Sequence, residues 1–324
     1  MITHLTRFEN LLLATYSYMK SYISGSTIVN GMPLAIGVEV TNHCNLKCPE
    51  CASGSGLMQR ERGFMDITLF NKIMEELSPY LFSINLFFQG EPMMHPQFFD
   101  FLRFVNSIRA VVSTNGHFLD LDSSQRLVTS GLYKLIISVD GIDQESYSSY
   151  RKNGNLASVL EGIRNVTEAK KKFNSPLKIE VQFLINSLNE HQVPEVKELA
   201  KRFNTKLRLK SMQVINKEET AFWLPENSRF RRYSMKNGEY VIKSSLPDRC
   251  ARLWFNPVIT WDGKVVPCCF DKDADHVMGN INNETFRQIW DGQKYRIFRK
   301  NILSGRKKVE ICRNCTSGLI GVRY

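Results

Sequence analysis

Between Leu34 and Met212 the chain alternates short apolar runs with amphipathic helical stripes six times over, and few folds accommodate that rhythm. Leu34–Val40, Phe82–Phe88, Ala110–Ser113, Lys134–Val139, Leu177–Ile185 and Lys206–Met212 read as strands of the buried type. Helical patterns fall between them: Leu69, Phe70, Ile73, Met74 and Leu77; Pro96–Ser107; Ser123–Ser130; Leu156, Val159, Leu160, Ile163 and Val166; and Val193–Phe203. Repeated strand–helix units require right-handed crossovers and hence a parallel sheet. Six units are too few for a closed eight-unit barrel. The expected class is therefore α/β, a partial (β/α)6 TIM-type barrel, with a doubly wound sheet as the alternative.

The flanking regions read differently. Residues 1–33 hold an amphipathic segment with Leu5, Phe8, Leu12, Tyr16 and Met19 at helical spacing, expected to pack on the barrel; docking on a membrane surface is the second reading. Residues 214–249 are polar and mixed, and read as a linker. Pro257–Trp261 and Lys264–Pro267 flank Asp262-Gly263, a two-residue hairpin signal, and a helix is expected from Glu284 to Ile302. This last portion has few core residues for its size and needs a staple.

Composition narrows the class further. At 43% hydrophobic and 23% charged residues, a collagenous, coiled-coil or disordered chain is excluded. No apolar run approaches the roughly 18 residues of a membrane span. Leu11–Ala14 is far shorter than the about 7–15 residues of a signal-peptide core. A cytoplasmic location is expected. The net charge of +11 admits a nucleic-acid partner, but the cations are spread along the chain and do not interleave with aromatics, so none is expected.

The eight cysteines carry the chemistry. Cys44, Cys48 and Cys51 lie near the start, Cys250, Cys268, Cys269, Cys312 and Cys315 near the end, and none lies between. Such short spacings in a reducing compartment read as metal ligands. The first trio leaves the end of the first strand, the edge where parallel α/β folds place their sites. Three thiolates can hold three irons of a four-iron cluster and leave the fourth open. A closed zinc site needs four ligands, and His43 is too close in sequence to Cys44 to share one metal with it. The second group admits a cluster or a four-cysteine zinc ribbon.

Cys44-x3-Cys48-x2-Cys51 after a first strand resembles the radical SAM superfamily, and further segments of that family follow in order. Gln89-Gly90-Glu91-Pro92 follows the second strand and resembles the family's Gly-Gly-Glu-Pro segment, which receives the methionine amine of S-adenosylmethionine (SAM). Ser113-Thr114-Asn115-Gly116 ends the third strand, and Ser138-Val139-Asp140-Gly141 the fourth, with Arg151 beyond. The resemblance covers residues 34–213. It implies a SAM-binding [4Fe-4S] cluster on Cys44, Cys48 and Cys51, and SAM contacts from Gln89, Gly90, Glu91, Pro92, Ser113, Asn115, Ser138, Asp140 and Arg151. Ser138 and Arg151 would approach the ribose and carboxylate. The implied chemistry is reductive cleavage of SAM to a 5′-deoxyadenosyl radical that removes hydrogen from carbon. Two departures stand out: Gln89 replaces a glycine, and Glu50 precedes the third cysteine where many members carry an aromatic.

The C-terminal cysteines resemble the family's SPASM extension in a shortened, twitch-like form. That resemblance implies a small iron–sulfur domain over residues 250–324, containing the hairpin and helix, with one auxiliary [4Fe-4S] cluster on Cys250, Cys268, Cys312 and Cys315. Cys269 is left over, as an alternative ligand, a buried residue or a hydrogen-atom donor to a substrate radical.

The fifth and sixth strands alternate apolar residues with Glu180, Gln182, Arg208 and Lys210, which in this fold face the lumen, joined by Glu39. They would grip a polar or anionic substrate or, alternatively, pair with one another. His95 reads as loop packing or an acid–base group. The expected function is radical SAM oxidation or rearrangement of a polar small molecule, with the auxiliary cluster relaying an electron. It needs an external one-electron reductant such as flavodoxin or ferredoxin. The second reading is a peptide- or protein-modifying maturase. The third, from another class, is a non-catalytic zinc-ribbon protein that binds nucleic acid.

Overall fold

The computed structural model describes residues 2–105 and 107–315, with side chains from Thr6 onward. Expectations placed on the Leu5 side chain, on Asn106 within Pro96–Ser107 and on residues 316–324 lie outside the described residues.

The chain opens with helix α1 (Ile2–Ser24), strand β1 (Ala35–Val38) and a cysteine-bearing loop that includes one helical turn, α2 (Ala52–Ser55). Helix α3 (Ile67–Leu77) leads to β2 (Ser83–Asn85), and α4 (Phe98–Arg103) to β3 (Arg109–Thr114). Next come α5 (Leu121–Thr129), β4 (Lys134–Ser138), α6 (Gln144–Tyr150), α7 (Leu156–Lys172), β5 (Lys178–Ile185), α8 (Val193–Arg202) and β6 (Lys206–Ser211). Beyond them lie α9 (Thr220–Trp223), β7 (Tyr233–Lys236), β8 (Glu239–Ile242) and α10 (Arg252–Phe255). The described chain ends with β9 (Val258–Ile259), β10 (Lys264–Val266), β11 (Gly279–Asn280), α11 (Phe286–Asp291) and α12 (Gln293–Gly305). The result is the expected α/β fold with a mostly parallel sheet.

Local chemistry sets the helix ends. Asp66, Asp120, Asp143 and Asn155 each accept a backbone N–H of the first turn they precede, and Thr285 and Gln288 form a reciprocal capping box on α11. Asn174 and Asn204 follow α7 and α8 in the left-handed conformation that stops a helix.

The described residues condense into two compact units, each assembled from separated stretches. The first contains the chain to His43, Gln59–Ala110 and the chain from Leu246 on. In it β1 runs parallel to β2 on one side and to β9 on the other, and β9, β10 and β11 continue antiparallel. The C-terminal hairpin thereby extends the sheet at the first strand. The second unit contains Cys44–Met58 and Val111–Ser245, with β3, β4, β5 and β6 in parallel order. Its strands bury Leu135, Ile137, Ile179, Val181 and Phe183, the apolar half of the expected alternation.

Three readings of the sequence are revised. The helix expected over Glu284–Ile302 is two helices, because Gly292 leaves the helical region (φ −68, ψ 160) and starts α12 afresh. The stretch read as a linker carries α9 and the hairpin β7–β8, which turns at Asn237 and Gly238, both at positive φ. Helix α1 packs with the opposite face to the one expected: Phe8, Leu12, Tyr16 and Met19 are exposed, and Arg7, Asn10, Ala14, Ser17 and Ser21 are buried. The polar face turns inward because the irregular segment 28–32 needs hydrogen-bond partners. Ser21 Oγ accepts from Ile28 N–H (2.8 Å), Ser17 Oγ from Asn30 N–H (2.8 Å) and Asn10 Oδ1 from Met32 N–H (2.7 Å).

In the first unit Arg299 is fully buried, its guanidinium 4.2 Å from the Trp290 ring and 4.0 Å from that of Tyr295. It donates to the carbonyls of Leu253 (3.0 Å) and Trp290 (2.8 Å). Arg299→Met would leave both carbonyls unpaired and remove two cation–π contacts. The expected loss is about 2–4 kcal/mol of stability, measured as a lower urea midpoint at unchanged slope.

Candidate functional site

In the second unit the cysteine loop is held by an apolar cluster. Leu46 and Cys48 are buried with Tyr150, Met212, Val214, Trp223, Leu224 and Tyr233, and the half-buried Cys44 and Cys51 pack at its edge. Lys47 N–H donates to the Lys152 carbonyl (3.0 Å), and Leu46 N–H points at Cys44 Sγ (3.5 Å). Gly54 lies so close to the loop that a Cβ there would sit 2.6 Å from Cys48 N. Glu50, at the position noted for departing from the family's aromatic, is buried and accepts the backbone N–H groups of Ile215 and, at 3.3 Å, Asn216. A carboxylate thus fastens the loop to the segment after β6.

Polar groups converge on the thiols from the C-terminal ends of β3 and β4, where the sequence placed them. Arg151 Nη1 lies 3.8 Å from Cys48 Sγ, and its Nε donates to Asp140 Oδ2 at 2.5 Å. Asp140 is fully buried; its Oδ1 accepts Leu184 N–H (2.7 Å), and its carbonyl accepts Asn189 Nδ2 (3.0 Å). Asp140 therefore aims Arg151 at the loop. Burial pushes the Cys48 thiol up to about 12, against the pull of Arg151. Such a thiol keeps its proton until a metal displaces it. Asn115 Nδ2 donates to Asn45 Oδ1 (2.7 Å) and lies 4.0 Å from Cys44 Sγ. Ser113 and Ser138 sit near the ends of the same strands, Ser138 opposite Gln182 in register.

In the first unit Gly90 takes φ +76 and meets the backbone of Asn42 and His43, where a Cβ would lie 2.6 Å from the Asn42 carbonyl carbon. Glu91 N–H donates to the His43 carbonyl (2.7 Å), and the buried Glu91 carboxylate accepts Met93 N–H (3.1 Å), starting a turn at Pro92. The Gln89–Pro92 segment is therefore clamped to the residue that precedes Cys44 in sequence. Glu39 is claimed by Arg60 through two bonds of 2.5 Å.

The strand charges pair among themselves. Glu180 is buried between Lys134 (3.4 Å) and Arg208 (2.8 Å). Ser138, Gln182 and Arg208 form one row across β4, β5 and β6, and Arg208 and Lys210 stay exposed.

The second thiol group lies wholly in the first unit. Buried Cys250, Cys268, Cys312 and Cys315 line one small cavity of about 10 Å³ with Arg252, Arg306, Leu253, Phe298 and Ile302. Arg306 Nη2 donates to Cys315 Sγ (3.3 Å), and Arg252 Nη1 to Cys269 Sγ (3.5 Å). Burial raises Cys250 and Cys268, and lifts Cys312 to about 11. Four buried thiols around one cavity have the donor set for the irons of a cluster or for a zinc ion. Cys269 stands outside the lining and faces Arg252. The sequence reading missed both arginines: in Arg306-Lys307-Lys308 nothing marks the buried cation beside two exposed ones.

Two expectations follow from this geometry. Gly90→Ala forces the Asn42–His43 backbone to move, and SAM turnover is expected to fall about 100-fold, the usual penalty for a displacement near 1 Å. His95 Nδ1 accepts Gln97 N–H, and His117 Nε2 accepts Asn155 N–H, so protonating either ring breaks a hydrogen bond. Burial lowers both rings from the ordinary 6.5. Near that pH the unfolded chain binds more protons, so this stability is complete above 6.5 and lost as pH falls below it. Thermal melts across that range should show the decline, and His95→Gln with His117→Gln should flatten it.

The radical SAM superfamily model matches residues 38–203, and the SPASM model, an iron–sulfur cluster-binding domain, matches residues 250–316. The S-adenosyl-L-methionine-dependent 2-deoxy-scyllo-inosamine dehydrogenase of Niallia circulans is 25% identical over 289 residues, 87% of this chain and 92% of that protein. The mycofactocin maturase MftC of Mycobacterium tuberculosis is 27% identical over 180 residues, 55% of this chain and 44% of its own. Among solved structures, BtrN in complex with AdoMet and 2-DOIA shares the fold at TM-score 0.54 and 22% identity, covering 89% of this chain and 95% of that one. SuiB of Streptococcus suis bound to precursor peptide SuiA does so at TM-score 0.63 and 14% identity, covering 94% and 72%. With both family models matched in chain order, SAM, a SAM-binding [4Fe-4S] cluster and an auxiliary iron–sulfur cluster are its cofactors. The chain is an enzyme that belongs to the radical SAM superfamily, with a SPASM-type C-terminal domain.

Proposed function

We propose that this enzyme is a cytosolic SAM-dependent dehydrogenase of a polar small molecule. The observation that carries the reading is the extent of the likeness to 2-deoxy-scyllo-inosamine dehydrogenase, which runs through both domains and spans 92% of that protein. Cys44, Cys48 and Cys51 hold the SAM-binding cluster, and Cys250, Cys268, Cys312 and Cys315 the auxiliary one. When bound, these groups would supply one-electron chemistry: reductive cleavage of SAM, removal of a hydrogen atom from a substrate carbon by the adenosyl fragment, loss of a proton to solvent and transfer of the remaining electron to the auxiliary cluster.

The chain's own residues serve that sequence at identifiable atoms. Gln89–Pro92 offers backbone groups and a buried turn for the methionine end of SAM. Arg151, which uses Nε on Asp140, keeps Nη1 toward Cys48 and would hold the SAM carboxylate. N–H donation from Arg306 to Cys315, with Arg252 close by, stabilises added negative charge on the auxiliary centre and so favours its acceptance of an electron. Gln182, Arg208 and Lys210 on one strand face supply polar contacts for the substrate. A flavodoxin- or ferredoxin-like donor provides the first electron. Peptide modification is the second reading, supported by the match to mycofactocin maturase over about half of this chain.

Anaerobic reconstitution should give brown protein with about eight irons per chain, and 5′-deoxyadenosine should form on addition of SAM and dithionite. Replacing Cys44, Cys48 and Cys51 with Ala should halve the iron and abolish that product. Cys250→Ala with Cys268→Ala should also halve the iron, yet retain SAM cleavage while losing the oxidised substrate. In cell extract the substrate should become lighter by two hydrogens. A colourless zinc protein, or a peptide as the only molecule altered, would overturn the dehydrogenase reading.

A further inference from the structure

We propose that α1 is a surface anchor that seats this protein on an anionic lipid bilayer. The argument starts from how the helix is mounted. Its inner face is largely polar and engaged: Arg7 donates to the carbonyls of Ser107 (3.0 Å) and Ser78 (3.2 Å), and Asn10, Ser17 and Ser21 bind the backbone of Met32, Asn30 and Ile28. These bonds fix the rotation of the helix and leave Phe8, Leu12, Tyr16, Met19 and Ile23 outside, from 48% to 76% exposed. Their spacing of four, four, three and four residues puts them in one continuous stripe, widened by exposed Leu13 and Tyr22. Scattered apolar residues on a surface need no partner, but a continuous ridge from Phe8 to Ile23 does.

The charge beside the ridge selects the partner. Lys300 Nζ donates to the Gly25 carbonyl (2.8 Å) just past the end of α1, and the Arg249 guanidinium lies 5.1 Å from the Tyr22 ring. Arg296, Ile297 and Lys300 share one exposed face of α12, and Lys294, Lys307, Lys308 and Arg313 are exposed as well. Glu310 is the one acidic residue between Gln293 and Cys315, and Glu9 the one acid of α1. A second copy of a chain with net charge +11 would bring like charges together across the stripe, whereas lipid phosphates bring the opposite sign. A convex ridge also suits the deformable headgroup boundary better than a rigid groove, and tyrosines favour that boundary. No described helix is long and apolar enough to cross a membrane, so α1 lies in the plane of the surface.

Flotation of the reconstituted full chain with vesicles tests this. The protein should float with phosphatidylcholine–phosphatidylglycerol vesicles at low salt, and about tenfold less with phosphatidylcholine alone or at high salt. Leu12→Glu with Tyr16→Glu should abolish flotation, and Lys294→Glu with Lys300→Glu should reduce it about tenfold. Both pairs are exposed, so far-UV circular dichroism and SAM cleavage should be unchanged. Because cleavage is read separately, failure of flotation leaves the enzymatic reading standing. Absence of flotation with the anionic vesicles, or unaltered flotation of the stripe variant, would overturn the proposal. So would concentration-dependent dimerisation in sedimentation that Leu12→Glu removes while vesicle binding persists.

Discussion

Cys48 is buried among hydrocarbon and one arginine, and its surroundings are arranged around the cost of charging its sulfur. Cys48 sits in an apolar cluster that opposes the thiolate, and Arg151 is the cation that offsets it. An arginine buried alone would itself be destabilising, so Asp140 holds it, and Asp140 is held in turn by Leu184 N–H and Asn189. The end of β4, the end of β5 with the loop after it, and the cysteine loop are thereby coupled through one chain of polar contacts. The C-terminal thiols follow the same principle with Arg306 and Arg252. Two groups of cysteines far apart in sequence thus show the same physical solution.

The strand–helix rhythm was legible because it depends on period alone. All six expected barrel strands are present, shortened by a residue or more at most ends, since hydrogen bonding stops before apolar composition does. Helix starts were less legible: Ser123 and Glu284 were expected, whereas the caps Asp120 and Thr285 start α5 at Leu121 and α11 at Phe286. The hairpin at Asn237-Gly238 was equally visible in principle: Asn-Gly is a strong turn signal, but its flanks, Tyr233–Lys236 and Glu239–Ile242, are too exposed to read as strands. Gly292 divided one helix into two for the ordinary reason that glycine resists helix propagation.

Partnership was the part that composition could not reveal. The Cys, Gly-Glu-Pro, Ser and Arg positions could be assigned in order, yet Asp140 could not be distinguished as the residue that orients Arg151. Glu39 and Glu180 looked like lumen charges, and only the fold shows that Arg60, Lys134 and Arg208 meet them. Helix α1 misled for a related reason: an apolar stripe marks the buried face only when nothing else needs that helix. Here the loop at 28–32 had unsatisfied backbone groups, and side chains able to bind them took the inner face.

The pairing of β1 with β9 joins Gly37 to Val258 across most of the chain. A ribosome delivers the first strand long before its neighbour, so during synthesis β1 has an open edge for the time taken to add about 220 residues. The first cysteine trio emerges early in that interval, whereas the second cannot gather until the C-terminal segment has left the tunnel. The gathering of the two cysteine groups is therefore ordered in time by chain connectivity, and a truncation near the C-terminus would strike the sheet at its first strand.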